Sequence, residues 1–420
     1  MRAALLAISG ACLPLALAPI GWWPIALLSV AVLKGLVDQR PEGGHRASCA
    51  EVYGKFLFFG LGLYASGASW IFISIHQYGQ ASAVLSALLT VLFVIALAAI
   101  FALPMMLYGA VQPKGRWPQL LLFSAAWVLG EWFRGWFLTG FPWLYLGYGF
   151  IDSWLAGWAP VGGALAVSGM VALTACVIGL LPTAKRYPRQ MAASAGIVAV
   201  LWVLGGVLHT AVWTQRANIE PLRTALIQPD LPILEKWQPD FLPATLAEMR
   251  AIAVANRTQD LLVWPESAIP ALAHQVEPFL TELGHFANTA GSAVILGLPR
   301  RSLEGKYFNT VIGLGRATGS YEKRRLVPFG EYVPLESWLR GAIAFFDLPM
   351  SAFSSGAPNQ RGISLNGNGI ASAICYEIAY GAQVAIDARD AAFLLTVSID
   401  TWFGDSLGPH QHLQIARMRA

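Results

Sequence analysis

The chain has 420 residues, of which 56% are hydrophobic and only 12% are charged, and its formal net charge is +4. Soluble domains carry about 25% charged residues. This composition therefore excludes an intrinsically disordered chain, a basic nucleic-acid-binding protein and a disulfide-rich secreted scaffold. The charges are also uneven, because residues 1–215 hold 16 of them and residues 216–420 hold 36. We predict a membrane domain over 1–215 and a globular domain over 216–420.

Seven apolar segments of the first domain approach the length of about 20 residues that a membrane-spanning helix needs. The first two abut at residues 19–24, which predicts a tight helical hairpin. Residues 138–159 are apolar but rich in Gly, Pro and aromatic residues, and we predict an interfacial or re-entrant segment there. The predicted spans are 3–19, 21–37, 54–75, 82–110, 117–133, 160–182 and 191–213.

Lys and Arg residues in the short loops predict the orientation of these spans. Ten of them lie at span ends on one side, whereas the opposite loops hold only Arg134. The N-terminus is therefore predicted to be cytoplasmic, and seven crossings place residues 216–420 outside. Residues 1–18 also fit a cleaved signal peptide. If it were cleaved, the mature chain would begin outside and cross the membrane six times, so residues 216–420 would still lie outside.

Eleven aromatic residues lie between positions 132 and 158, on the predicted outer side. This concentration is typical of an aromatic belt at the level of the lipid headgroups. A wall beside a lipid entry path to the second domain is the more specific interpretation, and both can hold together.

The second domain alternates short apolar, β-rich runs with helix-like stretches near 241–256, 272–290 and 380–390, as layered α/β domains do. The Asn366 and Gly367 pair predicts a hairpin turn. No glycine-rich dinucleotide motif and no P-loop motif is present, so neither nucleotide fold is indicated. The predicted strands are 224–227, 261–264, 293–298, 310–313, 370–374 and 393–398.

Glu266, Lys323 and Cys375 each lie at or near the end of an apolar run. A thiol needs a base to become an attacking thiolate, because its free pKa is about 8.5. A buried glutamate can be that base, and a lysine can stabilise the oxyanion of a tetrahedral intermediate. The three together point to acyl transfer. Taken singly, each also fits a structural role: a buried core cysteine, an exposed turn glutamate and a lysine in a solvated basic run.

The segments around these side chains resemble the Glu-Lys-Cys segments of the nitrilase (carbon–nitrogen hydrolase) superfamily. Joined to an N-terminal membrane bundle, they are similar to the apolipoprotein N-acyltransferase family over essentially the whole chain. The segments that carry the resemblance are Trp264-Pro265-Glu266, Tyr321-Glu322-Lys323, Cys375-Tyr376-Glu377, the LVPFGEYVP run at 326–334, the DTWFGDS run at 400–406, the GFPW run at 140–143, the IQP run at 227–229 and the Lys236-Trp237 pair.

The resemblance implies a multi-span α-helical membrane bundle followed by an α/β nitrilase-like domain, an αββα sandwich, on the extracytoplasmic side. It also implies that Cys375 takes an acyl chain from a phospholipid as a thioester. The N-terminal S-diacylglyceryl-cysteine amine of a lipoprotein then attacks that thioester. Glu266 would be the general base and acid, and Lys323 the oxyanion stabiliser.

The same resemblance assigns supporting roles to four further residues. Glu331 would support the site, Tyr376 and Glu377 would flank the nucleophile, and Trp237 would lie on a mobile loop near the lipid entrance. No cofactor, metal or nucleic acid is expected. The resemblance implies a monomeric, multi-pass protein of the bacterial inner membrane with its catalytic domain on the periplasmic side.

Two departures from the family pattern are visible. Ile399 stands where the family usually has Asn. An Asn side chain there would supply polar contacts near the nucleophile strand, and its replacement by Ile would then weaken the site. Family members also continue past Ala420, so we expect the catalytic domain, residues 216–420, to be truncated and residues 1–420 alone to fold incompletely or to be poorly active. The sequence also fits two alternative functions. One is a membrane-tethered amidase that uses water as the acyl acceptor, and the other is an inactive paralogue that serves as a transporter or membrane sensor.

Overall fold

The computed structural model describes residues 1–39, 47–215, 221–230, 235–332 and 352–420. The chain forms two compact units. The first comprises Met1–Gln77, Ala81–Gln215 and Phe403–Ala420, and the second comprises Tyr78–Gln80 and Arg216–Trp402. The predicted division of the chain into 1–215 and 216–420 differs from this grouping at the C-terminal end, because residues 403–420 pack within the first unit.

The first unit is helical and rich in apolar residues. Short 3₁₀ turns at Leu13–Ala16, Phe137–Thr139, Leu146–Phe150 and Trp154–Trp158 interrupt it. The last three lie in the stretch predicted to be interfacial or re-entrant. The helices up to residue 209 are α1 (Arg2–Cys12), α2 (Trp23–Asp38), α3 (Cys49–Gly67), α4 (Trp70–Ile73), α5 (Ala83–Ala102), α6 (Met106–Val111), α7 (Arg116–Arg134), α8 (Ala159–Ile178) and α9 (Pro188–His209).

Three helical stretches in the described part of the chain are long and apolar enough to cross a membrane: Ala83–Val111, Trp154–Ile178 and Pro188–His209. A fourth is possible if Cys49–Gly67 and Trp70–Tyr78, bent by 51° at their junction, form one broken span. The helical stretch Arg2–Ala16 is shorter, and α2 has only 16 residues. The seven crossings therefore stay a prediction, and Arg40 and Arg46, two of the loop charges behind the predicted orientation, lie outside the described residues.

Helices α1 and α3 pack with their backbones in direct contact. A Cβ atom on Gly10 would overlap the carbonyl oxygen of Phe59, and one on Gly62 would overlap the carbonyl oxygen of Ala7. Small residues at such crossings let membrane helices approach closely, since lipid supplies no hydrophobic force to drive them together. These two glycines therefore allow α1 and α3 to pack against each other.

Two buried charges at the end of α7 hold the irregular stretch that follows. Glu131 accepts a hydrogen bond from the Leu146 N–H at 2.7 Å, and Arg134 donates to the Trp143 carbonyl at 2.6 Å. Both charged side chains are only 1% exposed. The Leu146 N–H and the Trp143 carbonyl, which take no part in helical hydrogen bonds, thus find partners inside the protein, as buried backbone polar groups require.

The second unit is built on one eight-stranded sheet whose strands follow in chain order. β1, β2 and β3 are parallel, β3 to β7 are antiparallel, and β7 and β8 are parallel. The hairpin turn predicted at Asn366 and Gly367 is confirmed, since both have positive φ and join β6 to β7. The strands are β1 (Thr224–Leu226), β2 (Leu261–Val263), β3 (Ala293–Arg301), β4 (Tyr307–Gly315), β5 (Ala317–Glu322), β6 (Gly362–Leu365), β7 (Asn368–Ile374) and β8 (Phe393–Val397).

Two apolar cores hold this unit together. One lies between the sheet and helices α10 (Leu242–Ala255) and α11 (Glu277–Ala290), with Met249, Phe279 and Leu296 buried in it. The other joins both halves of the sheet, with Val263 of β2 and Ile374 of β7 in one cluster. The short helix α12 (Gly381–Asp387) follows β7. The ends of β2 and β7, which precede Glu266 and Cys375, therefore share one core.

The last helix, α13 (Gly408–Arg417), packs in the first unit. The amide of Gln411 accepts hydrogen bonds from the indoles of Trp143 at 2.7 Å and Trp70 at 3.3 Å. It also donates to the Gly67 carbonyl at 3.1 Å. One buried side chain thereby joins α13 to two separate stretches of the unit, the junction of α3 and α4 and the segment that contains Trp143.

Candidate active site

Glu266 lies on a tight turn that directly follows β2. Ser267 has φ of +45°, and the Gly297 N–H of β3 donates to the Pro265 carbonyl at 3.2 Å. A Cβ atom on Gly297 would lie 2.6 Å from Ser267 N and 2.8 Å from Glu266 Cα, so only glycine leaves room for the turn. The turn sits directly on β3 and directs a buried carboxylate away from the strand.

Both oxygens of the Glu266 carboxylate are occupied by donors. Oε1 accepts from the Asn309 amide at 2.7 Å and from Lys323 Nζ at 3.4 Å, and Oε2 accepts from the Ile399 N–H at 3.0 Å. These donors come from three different parts of the second unit. The carboxylate therefore has one fixed orientation.

Lys323 follows β5, and its side chain is 1% exposed. Its Nζ donates to Glu331 at 2.8 Å as well as to Glu266. Burial by itself lowers the pKa of Lys323, but the nearby carboxylates Glu266 and Glu331 outweigh it and hold that pKa well above its ordinary value. The lysine is therefore a permanent positive charge in the site.

Glu331 completes this cluster of buried charges. Its Oε1 also accepts from the Asn309 amide at 2.9 Å, and its Oε2 accepts from the Val327 N–H at 2.8 Å. Asn309 thus bridges the two carboxylates that share Lys323. Val333 and Pro334, the end of the motif that contains Glu331, lie outside the described residues.

Cys375 directly follows β7 at a strained backbone position, with φ of +53°, and a 3₁₀ turn (Cys375–Ala379) begins there. Left-handed backbone at a non-glycine residue costs energy and is often found at functional sites. Burial raises the pKa of the Cys375 thiol well above its ordinary value, and the charge of Glu266 raises it further while Lys323 opposes both. The thiol is therefore protonated at neutral pH and lies within the electrostatic reach of both residues.

Glu377 holds the nucleophile turn against the segment after Lys323. Its carboxylate accepts from the Ile374 N–H at 2.8 Å, from the Arg324 N–H at 2.8 Å and from the Tyr321 hydroxyl at 3.0 Å. Burial raises the pKa of Glu377, and these backbone donors oppose that shift. Tyr376 next to it packs edge-on against Tyr380, with ring centroids 5.3 Å apart.

Trp237 is half-buried and lies beside Lys236, whose Nζ is 5.7 Å from the indole ring centre. Lys236 in turn donates to the Ser267 carbonyl at 2.9 Å. The tryptophan is thus close to the turn that bears Glu266. Residues 231–234, which precede this pair, lie outside the described residues, so the predicted mobile loop is not tested.

Glu266, Lys323 and Cys375 therefore come together with Glu331 around one buried cluster. The sequence did not predict Asn309, Lys236 or the Ile399 N–H as parts of it. Asn309 had one signal, since this polar residue directly precedes the predicted strand at 310–313. The arrangement offers a nucleophile, a carboxylate to move its proton and a fixed cation for a developing oxyanion, which is what acyl transfer through a thioester requires.

Comparison with known proteins decides the family. A family model described as the apolipoprotein N-acyltransferase N-terminal domain matches residues 9–177, and the carbon-nitrogen hydrolase model matches residues 223–420. The chain belongs to the apolipoprotein N-acyltransferase family. Curated members of this family align with nearly its whole length, and it covers about four-fifths of theirs.

The apolipoprotein N-acyltransferase of Pseudomonas syringae pv. tomato is 42% identical over 98% of this chain and 81% of its own length. That of Pseudomonas putida is 43% identical over 98% and 81%, and that of Coxiella burnetii is 37% identical over 100% and 85%. Among solved structures, an amidase from Nesterenkonia sp. aligns with 45% of this chain and 71% of its own at 21% identity and a TM-score of 0.31, a likeness too slight to inform the fold.

Proposed function

We propose that this chain is an acyltransferase that moves an acyl chain from a phospholipid to the N-terminal amine of a diacylglyceryl-lipoprotein, through a thioester on Cys375. The name shared by its relatives supports the activity. One observation in the structure supports the mechanism: Lys323 Nζ lies 3.4 Å from Glu266, and the charges of both act on the Cys375 thiol.

In the first half-reaction, Cys375 Sγ attacks the ester carbonyl carbon of the phospholipid while Glu266 accepts the thiol proton. The new C–S bond gives a tetrahedral oxyanion, which Lys323 stabilises by its charge. The ester C–O bond then breaks, and Glu266 returns the proton to the departing lysophospholipid oxygen. The acyl chain remains on Cys375 as a thioester.

In the second half-reaction, the lipoprotein amine attacks the thioester carbon. Glu266 accepts a proton from the amine, a C–N bond forms, and the C–S bond breaks. The proton returns to the leaving Cys375 sulfur, so the enzyme ends as it began. No energy source is consumed, because an ester is exchanged for an amide by way of a thioester.

The raised pKa of Cys375 favours a base-assisted thiol over a preformed thiolate. The raised pKa of Lys323 keeps the ammonium protonated through both half-reactions. Glu331 and Asn309 hold the side chains of Lys323 and Glu266 in position. Glu377 fixes the turn that bears Cys375. Tyr376 and Trp237 lie beside these groups. These roles agree with those that the family resemblance implies and add Asn309 to them.

Both proposed substrates are anchored in lipid, and extracting a long acyl chain into water would cost about 0.8 kcal/mol per CH₂. We therefore place the chain in the bacterial inner membrane as a multi-pass monomer with an αββα catalytic domain on the periplasmic side. The apolar helices of the first unit support a membrane protein, and the loop charges support the side on which the catalytic domain would lie.

The test is intact-protein mass spectrometry of the detergent-purified chain after incubation with dioleoyl phosphatidylethanolamine. We expect an oleoyl-sized mass on the wild type that hydroxylamine removes. Cys375→Ala should lack it, and the control Cys49→Ala, which changes another half-buried cysteine, should keep it. An adduct that persists in Cys375→Ala, or none in a folded wild-type protein, contradicts the proposal.

A further inference from the structure

Lys236 is a buried lysine that the mechanism above does not use. Its side chain is 5% exposed, and its Nζ donates to the carbonyl of Ser267 at 2.9 Å. Ser267 directly follows Glu266. The lysine therefore contacts the backbone of the very turn that presents the carboxylate.

This turn is held from two sides. β3 holds one side through Gly297, whose N–H donates to the Pro265 carbonyl and whose own carbonyl accepts from the Ile269 N–H at 3.3 Å. Lys236 holds the other side at Ser267, the residue with positive φ. A strained conformation of this kind persists only where its surroundings fix it.

A neutral donor could hold a carbonyl at less cost than an ammonium, because burying a charge away from water is expensive. Burial lowers the pKa of Lys236 to about 8, and the charge of Glu266 opposes that shift. Among the described residues, Glu266 is thus the charged group that acts on the pKa of Lys236, and the Trp237 ring lies beside the lysine. At neutral pH most of the lysine is still protonated, so its positive charge acts on the Glu266 carboxylate.

We propose that Lys236 is a positioning residue for Glu266, which holds the Ser267 carbonyl in place and sets a second positive charge, besides Lys323, beside the general base. This inference rests on the proposed role of Glu266. It predicts that the catalytic rate depends on the charge of residue 236 as well as on its hydrogen bond.

The first experiment compares wild type with Lys236→Arg in single-turnover acylation of Cys375 by dioleoyl phosphatidylethanolamine in detergent micelles, from about pH 6 to about pH 9.5. Arginine stays protonated throughout, whereas Lys236 loses its proton above about pH 8. We expect the ratio of wild-type to variant rate to be constant at low pH and to fall severalfold above pH 8. Taking the ratio of the two rates cancels the pH dependence that comes from ionisable groups present in both proteins. A flat ratio would overturn the proposal.

The second experiment uses Lys236→Met, with Lys306→Met as a matched control at an exposed lysine. We expect acylation at neutral pH to fall about tenfold in Lys236→Met, as a small misplacement of a catalytic group can cause, and to stay unchanged in the control. A folded Lys236→Met with the wild-type rate overturns the proposal. If this variant does not fold, the pH-dependent ratio for Lys236→Arg decides alone.

Glu266→Gln separates the two proposals. If Glu266→Gln acylates at the wild-type rate, the proposed role of Glu266 fails, and the inference about Lys236 fails with it. If Glu266→Gln is inactive while Lys236→Met keeps the wild-type rate, only the inference about Lys236 fails.

Discussion

The backbone N–H of Ile399 donates a hydrogen bond to Glu266 Oε2 at 3.0 Å. The residue that departs from the family pattern thus reaches the candidate base through its main chain, which any residue except proline can do. The concern that Ile399 weakens the site rested on its side chain.

We predict that Ile399→Asn and Ile399→Val acylate Cys375 within a few-fold of the wild-type rate. Ile399→Pro should lose at least about tenfold, because it removes the N–H and leaves a buried carboxylate oxygen without that donor, at a cost of about 1–3 kcal/mol. Single-turnover acylation measures all three. A strongly impaired Ile399→Val would contradict the main-chain explanation, since that substitution keeps the N–H.

Asn309 holds the two carboxylates together through one amide nitrogen. We predict that Asn309→Leu, similar in size but without the donor, lowers the acylation rate by about 10- to 100-fold, because a misplaced general base loses most of its effect. Asn309→Asp should be worse, since it adds a third carboxylate beside one ammonium. Asn288→Ala, at an exposed position on α11, is the control. Wild-type rates in Asn309→Leu would show that Glu266 needs no such bridge.

Lys323 lowers the pKa of the Cys375 thiol against the larger effects of burial and Glu266. Lys323→Met should therefore raise that pKa further and slow alkylation of Cys375 by iodoacetamide at about pH 8.5, where the wild type has more thiolate. Alkylation is followed by mass spectrometry beside Lys306→Met. Faster alkylation in a folded Lys323→Met would contradict the charge arrangement described here.

Gln411 satisfies two indole N–H groups in the first unit. Gln411→Leu would leave both without their acceptor, and we predict a loss of about 1–3 kcal/mol in stability, seen as a lower melting temperature in detergent. His410→Ala, at the exposed neighbouring position, should melt like the wild type. An unchanged melting temperature in Gln411→Leu would mean that the helix is held by other contacts.

The sequence predicted six of the eight strands, because those six contain apolar runs. It missed β5 and β6. β5 (Ala317–Glu322) buries only Ala317 and Tyr321 among mostly small and polar residues, and β6 (Gly362–Leu365) has two buried apolar residues that alternate with Gly and Ser, so neither strand contains an apolar run. Such strands form because their neighbours supply backbone partners on both sides, and a local pattern does not show neighbours.

The candidate site divides in the same way. Glu266, Lys323 and Cys375 were predictable because each reactive side chain stands in a distinctive local motif. Asn309 and Ile399 could not be predicted. Asn309 acts through its side-chain amide, whose direction depends on the register of its strand. Ile399 acts through its main-chain N–H, which every residue except proline has, so no residue type signals it. Contacts made by the backbone become visible only once the fold is known.

The packing of α13 also bears on how the protein would respond to a protease. Apart from Tyr78–Gln80, the second unit is one continuous stretch that begins after Gln215 and ends where the chain rejoins the first unit at Phe403. Residues 216–402 are therefore joined to the first unit at both ends. A single cut between residues 215 and 221 would leave a C-terminal fragment whose own tail is still docked, through Gln411, among Gly67, Trp70 and Trp143. The two fragments would then travel together in detergent, and release would take a second cut near residue 403.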